Sequence, residues 1–294
     1  MNNYHDLASA ALVNDVLRLE YLTTAGPRIV GLSYRGSPNM LADVHDLIWD
    51  TPNGPYLPLG GHRLWISPES PEKTYIPDKV GLQARPVPNG VELTGASEAS
   101  SGVRKTLRIE LDPASPVIRL VHTILNESPA LVTFAPWAIT QFCQGGTVLL
   151  PQPVGNTDPH GLLPNRLLVL WPYTRINEPR LVLRDDFILV HAEAGLPPVK
   201  LGYANKAGWM GYWWNGILFR KSTDPRPGAS YPDGGCNSEV YCGDRFVELE
   251  TLGALVTLAS GQSTQLTETW ELYTGLDQPF IPAEIRELLS DSHL

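Results

Sequence analysis

Charged residues are scarce in this sequence, and no cluster of Lys or Arg occurs anywhere along it. They make up 18% of the 294 residues and leave a formal net charge of −9. Nucleic acids and anionic membranes are held by clustered cations, so neither is an expected partner. No run reaches the roughly 18 uninterrupted apolar residues of a membrane span. The N-terminal stretch also lacks the basic region and apolar core of a secretory leader. Only three cysteines are present, Cys143, Cys236 and Cys242, an odd number whose spacing matches no metal knuckle. Plain thiols in a reducing cytoplasm are expected rather than a disulfide framework. A glycine-rich phosphate loop, a His-Glu-x-x-His helix and a Gly-x-Ser-x-Gly elbow are absent too, which sets aside the chemistries they serve. The seven histidines are scattered. His45 and His62 with Asp43 or Glu69 could assemble a metal site, but no spacing demands one, and no metal or other cofactor is expected.

Proline and glycine, by contrast, are plentiful, with 27 and 26 residues at short, irregular intervals. Proline breaks helices and glycine weakens them, so few windows can carry a long helix. Between the breakers lie runs of β-formers with period-two alternation, at 16–22, 28–34, 103–111, 117–125, 187–192, 216–221, 246–258 and 264–273. The pair 103–111 and 117–125, separated by Asp112-Pro113-Ala114-Ser115-Pro116, predicts a hairpin. Two windows predict helix: 7–16, interrupted by Asn14-Asp15, and 282–289, which has Pro282 in its first turn and Ile285, Leu288 and Leu289 on one face. No fixed-period repeat and no linker appears. The expectation is one all-β domain over residues 1–294, with Pro- and Gly-rich loops at 53–58, 151–165 and 224–237.

Three constellations could carry chemistry. In Gly60-Gly61-His62-Arg63-Leu64-Trp65-Ile66-Ser67-Pro68-Glu69, two glycines would let backbone approach a ligand, and a ring, a guanidinium and an indole follow at once. A sugar needs that mixture: hydrogen-bonding groups for its hydroxyls and a flat apolar surface for its C–H face. Alternatively, Trp65 is core and Arg63 pairs with Glu69. In Trp209-Met210-Gly211-Tyr212-Trp213-Trp214, a strand would send Trp209 and Trp213 one way and Met210, Tyr212 and Trp214 the other, so one set is core and the other can line a cleft. In Arg245-Phe246-Val247-Glu248-Leu249-Glu250-Thr251, two glutamates share a strand face about 6.5–7 Å apart. Paired carboxylates raise one another's pKa, which suits a base working near neutrality. A solvated strand face is the plain alternative for them, as it is for Glu239.

The order of these pieces resembles the galactose-mutarotase-like superfamily, which includes the aldose 1-epimerases. Gly26-Pro27-Arg28-Ile29-Val30-Gly31-Leu32 and Asn39-Met40-Leu41 resemble that family's opening hairpin, and residues 60–69 its binding segment. Leu249-Glu250-Thr251 resembles its late Leu-Glu-Thr strand, and Thr269-Trp270-Glu271-Leu272-Tyr273 its closing strand. The resemblance implies a large antiparallel β-sandwich with short peripheral helices and a small-molecule sugar as partner. It places Glu250 as the general base for the anomeric hydroxyl, with Glu248 as rival when the frame is counted from Phe246. It places Arg63 in substrate binding and His62 as a stand-in histidine or proton donor. Trp65, Glu69, Trp137, Trp209 and Glu239 are the further binding candidates. The family's acid is a histidine, and Trp137 stands where it is expected. An indole N–H exchanges no proton near neutral pH. Two functions therefore follow, an aldose 1-epimerase or a non-catalytic sugar-binding domain, with lyase or hydrolase chemistry in the same cleft as a third.

Overall fold

The computed structural model describes residues 2–276 and Ile285. Two antiparallel sheets, of eleven and ten strands, face each other. The first runs from the Asn2–Tyr4 edge through Leu7–Val13, Leu17–Leu22, Ile29–Tyr34, His62–Ser67, Val132–Phe142, Val247–Leu252, Ser238–Cys242 and Val199–Tyr203 to the Leu168–Leu170 edge. The second runs from Gln83–Val87 through Gly90–Ser97, Val103–Leu111, Val117–Asn126, Ser263–Thr274, Ile217–Ser222, Trp209–Trp214, Thr147–Pro151 and Phe187–His191 to Leu181–Leu183. A single large core cluster draws on both, joining Leu19, Leu32, Phe142, Leu201 and Leu249 of the first to Leu107, Leu120, Val148, Tyr212 and Trp270 of the second. The all-β sandwich expected from the sequence is the observed architecture.

The strands Val103–Leu111, Val117–Asn126 and Ser263–Thr274 of the second sheet behave as period-two patterning dictates, while Thr147–Pro151 is buried at every position. Val103–Leu111 alternates buried and half-buried residues along its whole length and pairs with Val117–Asn126 in the expected hairpin. The 246–258 window is divided, since Val247–Leu252 and Val256–Leu258 pair with different parts of one long neighbour. The helix expected at 7–16 is a correction: Leu7–Val13 is a strand between Asn2–Tyr4 and Leu17–Leu22. Its alanines carry helix propensity, but ladder hydrogen bonds to two neighbours outweigh a preference of a few tenths of a kcal/mol per residue. Of the helix expected at 282–289, only Ile285 is described, helical and buried against Leu149 and Leu218; the rest lies outside the described residues.

The central strands of the first sheet break the alternation. His62–Ser67 and Val247–Leu252 are buried at every position, and Val132–Phe142 from Phe134 onward. One face of these strands packs on the core. The other is covered as well, although its side chains include Arg63, Glu248, Glu250, Glu239 and Lys200. A roofed sheet face made of charges rather than Val and Leu is where folding energetics have yielded to another demand.

The two glycines before His62 do not serve as expected. Gly60 and Gly61 have φ of 92° and 68°, and a Cβ would fall 1.9 Å from the carbonyl oxygens of Ala42 and Ile29 respectively. They admit the chain's own neighbouring strands, not a ligand.

Candidate active site

Strand register builds the site as a grid on the roofed face. Arg63, Ile139, Glu250 and Glu239 stand opposite one another in four successive strands. Gln141, Glu248, Tyr241 and Lys200 form the adjacent row. Trp65 and Trp137 are paired in the row on the other side, with their rings edge to face and centroids 5.3 Å apart. Because ladder neighbours alternate faces in step, one register brings all these side chains to the same side.

Charges meet diagonally across the grid. Lys200 Nζ lies 2.9 Å from Glu250 Oε2 and 2.9 Å from Glu239 Oε2. Trp137 donates its indole N–H to the same Glu250 oxygen at 2.8 Å. One ammonium cannot neutralise two buried carboxylates, and Glu250, with two donors, holds the stronger claim. Burial, then the charge of Glu250, pushes the Glu239 carboxyl up to about 9, with Lys200 pulling the other way. These surroundings favour the protonated form of Glu239.

Glu248 accepts hydrogen bonds from Arg63 Nη2 at 3.2 Å and Gln141 Nε2 at 2.8 Å. Burial and the neighbouring Glu250 raise it to about 7, opposed by Arg63 and Lys200. Arg63 lies over the Trp65 ring, 4.1 Å from its centroid. Its Nε and Nη1 are buried without a hydrogen-bond partner among the described residues. Such donors cost free energy unless something fills them.

The roof is aromatic. Tyr56 and Tyr75 pack on Trp65, and the Tyr56 hydroxyl accepts from Trp65 Nε1 at 3.1 Å and from Arg28 Nη2 at 2.9 Å. A cleft of about 410 Å³ opens beside them, lined by Glu69, Tyr75, Trp137, Trp171, Lys200, Asp233 and Glu239. Lys200 is sandwiched there, 4.8 Å from the Trp137 ring and 4.7 Å from that of Trp171. Glu69 does not pair with Arg63; it is exposed at the rim and accepts a hydrogen bond from the Tyr75 hydroxyl. Trp137, Lys200 and Glu239 line this cleft, Glu248 is not among its lining residues, and Arg63 and Trp65 border a separate hollow beside Tyr56. Carboxyls raised toward and above neutrality, a guanidinium with idle donors and edge-to-face indoles on one sheet face are the equipment for binding a hydroxylated ring and moving protons on it.

Arg63, Trp65, Glu69, Trp137, Glu239, Glu248 and Glu250 thus share one face or its rim. His62 does not, which corrects its expected catalytic role. It points to the core side, fully buried, with Nδ1 on Thr140 Oγ1 at 2.9 Å and Nε2 on His122 Nε2 at 2.8 Å. Burial, then His122, holds its pKa well below the usual value, so it stays neutral. Trp209 is also elsewhere, on the second sheet against Phe187 and the Arg220 guanidinium. Its strand divides as parity requires, with Met210 and Tyr212 in the core. Lys200, Tyr75, Trp171 and Asp233 were missed by sequence reasoning. Lys200 alternates with buried Val199 and Leu201, which marks only its face, and the other three sit on loops without periodicity.

No family model and no curated protein matches this chain in sequence. Solved structures do match in shape. A galactose mutarotase-like protein from Lactobacillus casei has a TM-score of 0.56 at 11% identity, covering 90% of this chain and 100% of that one. A candidate mutarotase from Salmonella typhimurium scores 0.57 at 14% identity, covering 93% of each. A candidate aldose 1-epimerase from Escherichia coli K12 scores 0.54 at 13% identity, covering 92% and 100%. At these identities the likeness is one of fold: the chain has the galactose mutarotase-like architecture. No helix among the described residues is long and apolar enough to cross a membrane, and the three cysteines are free.

Proposed function

We propose that the charged sheet face and the cleft at its rim bind an aldose and interconvert its anomers, with Glu248 of that face as general base and Glu239 of the cleft wall as general acid. The observation that carries this reading is the pair of carboxyls on neighbouring strands of one buried sheet face, both raised by burial and by Glu250, Glu248 to about 7 and Glu239 to about 9. Mutarotation needs a base for the anomeric hydroxyl and an acid for the ring oxygen. Two like groups held at different protonation states by their surroundings supply both. The resemblance in sequence favoured Glu250 as base, but that carboxylate is fully buried and tied to Lys200 and Trp137. In this reading Glu250 positions Lys200 and Trp137, Arg63 binds sugar hydroxyls through its idle donors, and Trp137 and Trp171 face the ring.

The test is a pH profile of anomer exchange, followed by polarimetry on freshly dissolved aldoses such as glucose and galactose. Glu248 must be ionised, so kcat/KM should rise with pH through about 7. Glu239 must be protonated, so it should fall again through about 9. A profile flat across that window would remove this acid–base assignment.

One observation favours a second reading. With Trp137 where the family's acid histidine is expected, and its N–H committed to Glu250, the same cleft would serve a sugar-binding domain without turnover. That protein would quench or shift tryptophan emission saturably with sugar and leave the exchange rate at its buffer value.

A further inference from the structure

The geometry points to a second site, unrelated to the cleft: a divalent transition-metal site of zinc-like chemistry formed by His5, Asp43 and His45. His5 occupies the tight turn between the strands Asn2–Tyr4 and Leu7–Val13, at a left-handed φ of 51°. Asp43 begins a two-residue strand paired with Leu59–Gly60, and His45 follows two residues on. His5 Nε2 lies 2.6 Å from Asp43 Oδ2, and His45 Nδ1 lies 2.8 Å from Asp43 Oδ1. The two imidazoles stack with centroids 3.4 Å apart and planes 18° from parallel. Both therefore present a ring nitrogen in the same direction, to the two oxygens of one carboxylate.

A tetrahedral ion with bonds of about 2.0–2.2 Å sets its ligand atoms roughly 3.3 Å apart. Opening the N···O contacts by about 0.5–0.7 Å, from 2.8 Å and 2.6 Å, would admit it, with the ion taking the place of the two bridging N–H protons. The donor atoms already lie within 4.8 Å of one another. Imidazole nitrogens select Zn²⁺, Co²⁺, Ni²⁺ or Cu²⁺ over Mg²⁺ and Ca²⁺, which prefer all-oxygen shells.

The cluster is held from behind. The Tyr4 hydroxyl donates to the Leu59 carbonyl at 2.8 Å, and the His45 backbone N–H reaches Asp43 Oδ1 at 3.2 Å. Nearby Asp46 is already engaged by both terminal nitrogens of Arg245 and adds no ligand. The three side chains are 37%, 41% and 44% exposed, so an ion can arrive from solvent and keep water in its remaining positions. A bound ion would clamp the N-terminal hairpin to the 43–60 segment. The sequence weighed His45 with His62, but His62 faces the core, and the partner is His5, whose distance along the chain gave no sign of the contact.

The measurement is calorimetric titration of the tag-free chain with ZnCl₂, and with CoCl₂ to read the ligand field. Binding at one ion per chain is expected, with visible Co²⁺ bands of a low-coordinate nitrogen and oxygen site. His5→Ala, His45→Ala and Asp43→Asn should each weaken Zn²⁺ binding by at least about tenfold, while His160→Ala should not. All four positions are exposed, and circular dichroism verifies that the variants fold. Absence of saturable binding below about 100 μM Zn²⁺, or binding unchanged in either histidine variant, would overturn the assignment.

Discussion

Glu248→Gln is expected to lower protein-accelerated anomer exchange by about 10²–10⁴-fold, the range of a positioned general base. The substitution keeps the shape of the side chain and still offers an oxygen to Arg63 Nη2 and Gln141 Nε2, the two donors it now serves. What it removes is the ability to take a proton near neutrality. The loss should fall on kcat, with KM changed little, because Arg63 and the indoles remain. Saturation-transfer NMR between α and β resonances, at a pH near 8, reads this directly. A loss confined to KM would reassign Glu248 to binding. Glu250→Gln makes an informative contrast. It leaves Lys200 facing a neutral amide and Glu239, so the expected effect is a lower pKa for Glu239, moving the alkaline limb of the profile toward neutrality.

The largest stability effect is expected on the other side of the same sheet. Lys221→Ala should destabilise the fold by about 3–5 kcal/mol, the usual consequence of leaving a buried charge without its partner. Lys221 Nζ lies 3.0 Å from Glu268 Oε1, and both side chains are almost wholly buried between the sheets. The ammonium also donates to the carbonyls of Ala138 and Leu249 at 3.1 Å and 3.0 Å. Those carbonyls belong to the two strands that carry Trp137 and the glutamates, so Lys221 pins their register from behind the cleft. A domain is stable by only about 5–15 kcal/mol, and a melting temperature lower by on the order of 10 °C should follow. The double variant Lys221→Met with Glu268→Leu should recover most of the loss, since neither charge then remains buried. Equal destabilisation in the double variant would place the effect in packing instead.

The fold was largely legible because its signal is repetitive. Hairpin 103–126 and the closing strand Ser263–Thr274 carry alternation long enough to outweigh their turns. Even the Lys221–Glu268 pair left a trace: Glu268 falls between Leu266 and Trp270 on the core face, and Lys221 continues the parity of Ile217 and Phe219. The site was legible in part. Arg63, Trp65, Glu239, Glu248 and Glu250 stood out as residue types in strand windows. Which face each takes depends on register, and a shift of one residue reverses it. Parity alone separates His62 from Arg63 once residues 62–67 are one strand, but which of the two faces the core depends on register; Glu248 and Glu250 share a face in any register, so parity cannot rank them. Their ranking comes from neighbours distant along the chain: Lys200 and Trp137 on Glu250, Gln141 and Arg63 on Glu248. Trp171 and Tyr75 reach the cleft from loops, where no periodicity marks position.

The most direct test of the account is a crystal structure of the chain soaked with an aldose that quenches its tryptophan emission. The expected result is a ring in the cleft beside Trp171 and the Lys200 ammonium that fills the space between the two indoles, its anomeric oxygen about 2.6–3.2 Å from a Glu248 oxygen, and its ring oxygen facing the Glu239 carboxyl. A sugar bound outside this cleft, or one bound within it but turned so that neither carboxyl reaches the anomeric centre, would contradict it.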